Sequence, residues 1–182
     1  MVASSFDPTH AVRFDLPRGS VRTRGDDDRV LLVPAAALDD LVRSAAPEAV
    51  EVLGRALGAA IGRRAAARMG DPQSASLETF VAQLGGEAAV AGVGALSIER
   101  WGRALVIVIE DSPLVGTLLV HTLASAVEAS SGRRASCTLL SRDDRIARIL
   151  VSSERAAARV RAWIASGVGW NEAVIKLHEG AA

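Results

Sequence analysis

The chain predicts an α+β domain, a twisted antiparallel sheet of hairpins with helices packed against it. Three observations carry this. Residues 95–132, ALSIERWGRALVIVIEDSPLVGTLLVHTLASAVEASSG, read as two strands, a two-residue turn and a helix. A hairpin followed by a Pro- or Ser-started helix occurs at residues 20–45, 95–131 and 134–166, although the three do not match as a solenoid repeat. The 182 residues are 49% hydrophobic with a net formal charge of zero, which suits one compact core and excludes a disordered chain or a nucleic-acid footprint.

Residues 1–10 carry the Asp7-Pro8 break and read as a flexible tail before a single domain at 11–182. VRFDL, SVRTR and RVLLV then alternate as strands, parted by Gly19 and the turn Gly25-Asp26-Asp27-Asp28. The acidic triplet lacks the spaced oxygen ligands and distal glutamate of a calcium loop, so it reads as a solvated turn. Pro34 opens a short helix over 35–45 with Leu38, Leu41 and Val42 on one side. Pro47 opens a longer one, with Glu48 and Glu51 in its first turn and Arg63, Arg64 and Arg68 in its last.

Val50, Leu53, Leu57 and Ile61 form the core stripe of that helix, and Gly54, Gly58 and Gly62 recur beside it. Each glycine costs about 1 kcal/mol relative to alanine, so close contact with another helix, in the same chain or a partner, is expected. Arg64 and Arg68 read as a helix end leaving the core, the other reading being an anionic ligand. Ser76 caps the next helix, with Leu77, Phe80, Val81 and Leu84 at amphipathic spacing and Gly85-Gly86 expected to kink or divide it.

Gly92-Val93-Gly94 hands the chain to the central hairpin. Residues 105–109 are an unbroken aliphatic run, expected to be covered on both faces. Gly102 suits the positive φ of a tight Gly-Arg turn. Ser112 and Pro113 predict a helix start and Gly132 its left-handed stop. Large apolar residues sweep over half of this helix, and the opposite strip carries Thr117, His121 and Glu128. Such a helix belongs in a core or a subunit interface. A second hairpin over 134–151 turns at Arg142-Asp143-Asp144. A helix over 153–166 follows, its apolar side Val160, Trp163 and Ile164, and Asn171 is expected to cap a last short helix with Val174 and Leu177 inward.

The chemistry-bearing motifs are few. There is no phosphate loop, dinucleotide fingerprint, zinc-protease pair or nucleophile elbow. One cysteine, Cys137, and the scattered His10, His121 and His178 predict no disulfide, no metal site and no cofactor. Cys137 reads as a small buried hydrophobe, and Trp163 and Trp170 as covers of the core edge. His121 is the best single candidate for function, read either as bonding a ligand or Glu128 or as a histidine satisfied inside the fold. Trp101 reads as packing, with a pocket wall, a dimer contact or an exposed anchor as alternatives. No signal segment or membrane-spanning apolar run is present, so a cytoplasmic protein is expected.

The segment GSVRTRGDDDRVLLVPAAALDDLVRSAAPEAVEVLGRALGAAIGRRAAARM resembles the opening of vinyl-reductase-type domains. Relatives of these are the aromatic-sensing N-terminal domains of phenol- and toluene-responsive activators and, more distantly, vesicle-tethering TRAPP subunits. The glycine hinge at 92–94, the hairpin, Ser112-Pro113 and the hairpin at 134–151 extend the resemblance over roughly residues 20–151, leaving 152–182 as a helical extension. Sensor members hold zinc with cysteines near the last hairpin; here only Cys137 stands there, so no metal site is carried over. These 182 residues also hold neither the ATPase nor the DNA-binding domain of those activators.

The resemblance implies a homodimer and a non-catalytic regulatory module that senses a small apolar ligand. Under that reading Phe80, Trp101, Leu118 and His121 line the pocket between sheet and helices. The alternative is a TRAPP-like adaptor that holds protein partners and has no small-molecule ligand.

Overall fold

The structure, a computed structural model, describes residues 6–24, 26–102 and 104–179, apart from the side chains of His10, His178 and Glu179. Gly25 and Arg103, expected in two of the turns, and the first five residues of the expected tail lie outside the described residues. The elements run β1 (Val12–Asp15), β2 (Ser20–Thr23), β3 (Arg29–Val30), α1 (Ala35–Ser44), α2 (Pro47–Met69), α3 (Leu77–Val90), β4 (Ala95–Trp101) and β5 (Ala104–Glu110). Then come α4 (Gly116–Ser131), β6 (Ser136–Arg142), β7 (Ile146–Ser152), α5 (Glu154–Ala165) and α6 (Trp170–Glu179). The α+β fold is therefore as expected, but with two sheets. β1-β2-β3 form one of their own, and β4-β5-β7-β6 form the antiparallel sheet at the centre.

The aliphatic run of β5 is central in that sheet and covered on both faces. Ile107 and Ile109, with Ala147 and Ile149 of β7, turn toward α4 and join its Leu118, Leu119 and Leu123 in the larger core. The alternate positions Ala104 and Val106, with Leu150 of β7, turn the other way onto Val160 of α5 and Ala173 and Val174 of α6. Period-2 alternation thus supplies two cores from one pair of strands. Gly102, at φ 61°, and Gly132, at φ 68°, take the left-handed conformations that the turn and the helix stop require.

α2 lies on the back of α4, and the glycine ridge is what lets it. A methyl group at Gly54 would sit 2.6 Å from Cβ of His121. One at Gly58 would sit 2.9 Å from Ala126 N and closer still to the carbonyl oxygen of Thr122, and Gly62 meets Ala126 and Ala129 in the same way. The close neighbour demanded by three helical glycines is therefore α4 of the same chain, and the ridge is no longer an argument for a subunit interface.

Four local expectations are corrected. α3 runs unbroken through Gly85 and Gly86, since glycine keeps its backbone N–H in the helix. Gly85 faces Leu96 of β4, and Gly86 makes room for the ring of Phe6. That ring also lies under the Arg68 guanidinium, 4.6 Å from it, and Asp7 caps a 3-10 turn over Pro8–His10, so the tail from Phe6 onward is docked. α4 begins at Gly116 rather than at Ser112-Pro113. Arg142 takes the carbonyls of Ser112 and Leu114 (3.1 and 2.5 Å), and Ser112 Oγ only closes a turn onto Leu114 N. α6 starts at Trp170, before Asn171, because Gly169 O receives the Ala173 N–H at 2.9 Å.

Arg64 and Arg68 do not lead out of the core. Arg64 is 7% exposed and Glu87 of α3 only 1%, and the Glu87 carboxylate bridges both guanidiniums (Arg64 Nε 2.8 Å, Arg68 Nε 2.6 Å). Asp26 in the β2–β3 turn completes the cluster, 3.7 Å from Arg64 and hydrogen-bonded by Thr23. Burial pushes the Asp26 carboxyl up, but the hydrogen bonds from Thr23 and the backbone of Asp28, with the charge of Arg64, outweigh that and hold it below its ordinary range. This cluster ties the small sheet to α2 and α3.

Candidate functional site

A cleft of about 1140 Å³ opens where α2, α4, β6 and α5 meet. Its floor is the polar strip of α4, Thr117, His121 and Glu128, with Val120 and Ala124 between. Helical spacing brings these residues to one side, because steps of three and four residues return to the same face. Glu51 and Arg55 of α2 form one wall and are ion-paired to each other. Ser125 Oγ donates to the carbonyl of Arg55 at 2.9 Å and pins that wall to α4. Opposite stand Ser136, Cys137, Thr138 and Leu139 of the edge strand β6, then Glu154 and Arg161 of α5, paired at 2.7 Å. Arg134 is exposed at the mouth.

Here an imidazole, several hydroxyls and paired charges surround the short apolar patch of Val120 and Ala124. That suits a ligand with an apolar body and a hydrogen-bonding group. Among the described residues no three His, Cys, Asp or Glu side chains converge as a metal site would require.

Of the four residues expected to line a pocket, only His121 faces this cleft. Leu118 stands one turn before it on α4 but points into the core, 1% exposed. Phe80 of α3 packs against the same core. Trp101 is on the other face of the sheet, edge-on to Trp170 with centroids 5.1 Å apart and its Nε1 donating to Glu99 at 3.0 Å. The structure therefore pairs His121 with Leu118 along one helix and does not bring Phe80 or Trp101 to them. Glu51, Arg55, Glu154 and Arg161 were not singled out as site residues. Their only signal in the chain is charge on amphipathic helices, which any solvated face also shows.

Cys137 borders the cleft but is 5% exposed, and burial pushes its thiol up to about 12. Native protein at pH 8 is expected to react with a thiol reagent at least about 100-fold more slowly than urea-unfolded protein, as a Michael-acceptor dye in stopped flow will read. Equal rates would mean that this strand opens readily.

No protein-family model and no curated protein sequence matches the chain. Among solved structures it is similar to the crystal structure of the phenol-responsive sensory domain of the transcription activator PoxR with phenol. The TM-score is 0.60 at 14% identity, over 93% of this chain and 92% of that one. The fold is shared. Two sequences this far apart that superpose over nearly their whole lengths have kept a backbone arrangement, and their sites are to be argued separately. No helix among the described residues is long and apolar enough to cross a membrane.

Proposed function

We propose that this domain is a non-catalytic, cytoplasmic regulatory module of the vinyl-reductase type that senses a small, largely apolar molecule. The observation that carries the reading is the cleft over the α4 polar strip, in a chain whose fold matches a phenol-responsive sensory domain. The ligand lies along Val120 and Ala124, with its polar group on His121. Leu118 supports His121 from behind; Phe80 joins the lining only if the core opens around the ligand, and Trp101, across the sheet, takes no part in it.

Phenol and substituted phenols are the first probes, followed by toluene-like hydrocarbons. At a hundredfold excess over Kd a bound ligand stabilises by about 2.7 kcal/mol, a rise in Tm of about 5–10 °C. His121→Ala is expected to weaken binding at least about tenfold by calorimetry, as loss of one hydrogen bond in a partly enclosed site does. If neither class of probe shifts Tm, and native mass spectrometry of gently purified protein finds no retained small molecule, the sensing reading fails.

One observation favours the adaptor reading instead. β6 is an edge strand and itself forms a wall of the cleft, so an extended peptide could add to the sheet there. A stoichiometric protein partner from native lysate, lost on Leu139→Pro, would favour it.

A further inference from the structure

The cleft is larger than one aromatic ring needs. A cavity of about 150 Å³ holds a benzene-sized molecule, and this one measures about 1140 Å³. Its place relative to the central sheet says what fills the rest. Residues 134–139 border it without a break, so odd and even positions of β6 both face it. A cavity against a face of the sheet would meet alternate residues only, because successive side chains point to opposite faces. Helices from both faces line it as well. One is α4, on the side of Cys137 and the larger core; the other is α5, whose Arg161 reaches Thr138 Oγ1 at 3.5 Å. The cleft therefore lies in the plane of the sheet, alongside its β6 edge.

β7 pairs with one side of β6, and the other side meets no strand among the described residues. An edge strand of this kind turns half of its backbone N–H and C=O groups outward. Six residues of added strand, at about 3.4 Å each, about 4.8 Å from the neighbouring strand and in a layer about 10 Å thick, fill roughly 1000 Å³. That is close to the space beside β6. The register shift of β6 falls between Leu139 and Ser141, beyond the residues that border the cleft. Cys137 and Thr138, in the middle of the edge, are buried, and Arg161 lies across them from α5. Arg161 is half exposed and its partner Glu154 more so. Such a pair is worth about 1 kcal/mol or less, so this screen swings aside cheaply.

We propose that the cleft is a strand-addition slot: an extended segment of another protein pairs with β6 and becomes the fifth strand of the central sheet. Its side chains alternate. Those on the α4 side are aliphatic and lie on Val120 and Ala124. Those on the α5 side are polar, one of them acidic to meet Arg161 and the exposed Arg134. The proposal rests on the protein-holding part of the adaptor reading and names the backbone geometry and side-chain pattern of the partner. It also stands beside the sensing reading: a ring on Val120 and Ala124 takes the place of one aliphatic side chain, so a sensed molecule displaces the peptide.

The test uses the full chain and a display library of peptides of about eight residues, aliphatic at alternate positions and polar between. The enriched peptide is synthesised in two N-methylated forms, each methylated at one set of alternate residues. In a paired strand one set of N–H groups faces β6 and the other faces away. Methylating the first set should raise Kd at least about 30-fold, as loss of about three hydrogen bonds does, and methylating the second should change it less than about threefold. Ala124→Trp, which fills the α4 side of the slot, should weaken the unmethylated peptide at least about tenfold.

Should Ala124→Trp unfold by circular dichroism, the two methylated forms decide the matter on the native chain. No enriched peptide, equal effects of the two methylation sets, or a folded Ala124→Trp that binds as well as wild type would each overturn the proposal. The sensing reading is separable: a rise in Tm with phenols and no enriched peptide upholds sensing and overturns the slot. Set-specific loss on methylation with no response to phenols upholds the slot alone.

Discussion

Gly58→Leu is expected to abolish the fold, and Gly58→Ala to destabilise it by about 3 kcal/mol despite the better helix propensity of alanine. At Gly58 the backbones of α2 and α4 are in contact. The new methyl meets the Thr122 carbonyl, Ala126 N and Ser125 Cβ, and the first two are main-chain atoms of a helix that cannot turn aside. The helices must separate along their whole shared length, loosening Gly54 from His121 and Gly62 from Ala126 as well. Urea unfolding of wild type and variant gives the difference directly. Gly132, which ends α4 in the left-handed conformation with open space around its Cβ position, should tolerate asparagine at a cost of about 1 kcal/mol or less. A Gly58→Ala variant as stable as wild type would mean that the two helices are not in backbone contact.

The second large effect is at Glu87. Glu87→Ala leaves Arg64 buried, with Asp26 at 3.7 Å as its remaining anionic partner, and should cost about 3–5 kcal/mol. For a chain of this length that is a fall in Tm of about 10 °C or more. The charged cluster is balanced, two guanidiniums against two carboxylates, so deleting one member unbalances it where water cannot compensate. Replacing Arg64 and Glu87 together by methionine removes both buried charges and should recover much of the loss, which a double-mutant cycle will measure. Full additivity of the two single changes would show that they do not interact.

These two sites differ in how far they could be read from the chain. The ridge at 54, 58 and 62 was legible as a demand for a close neighbour, because glycine at helical spacing inside an otherwise good helix has few other uses. Arg64 was legible only as a charge at a helix end. Its partner is 23 residues away on another helix, and no local pattern links them. The Gly85-Gly86 pair misled for a related reason: propensity marks glycine as a weak point, while here it makes the notch that receives Phe6.

The cleft divides in the same way. Thr117, His121 and Glu128 lie on one helix and so could be grouped by period alone. Its walls come from α2, β6 and α5, and grouping those depended on the sheet order β4-β5-β7-β6 and on the α2–α4 contact. No local pattern in the chain separates Trp101 or Phe80 from His121; strand alternation puts Trp101 on the far face of the sheet.

By itself the sequence determined the order of strands and helices, the left-handed turn at Gly102 and stop at Gly132, the two-sided burial of residues 105–109 and the polar strip of α4, but not that the expected strand RVLLV is a strand only over Arg29–Val30. Only the tertiary structure decided that α4 fills the glycine ridge, that Glu87 neutralises Arg64 and Arg68, and that the small sheet stands apart with Phe14 and Leu31 bare. Periodicity records which face of an element is apolar. The identity of the element that covers it is settled by long-range packing, to which every part of the chain contributes.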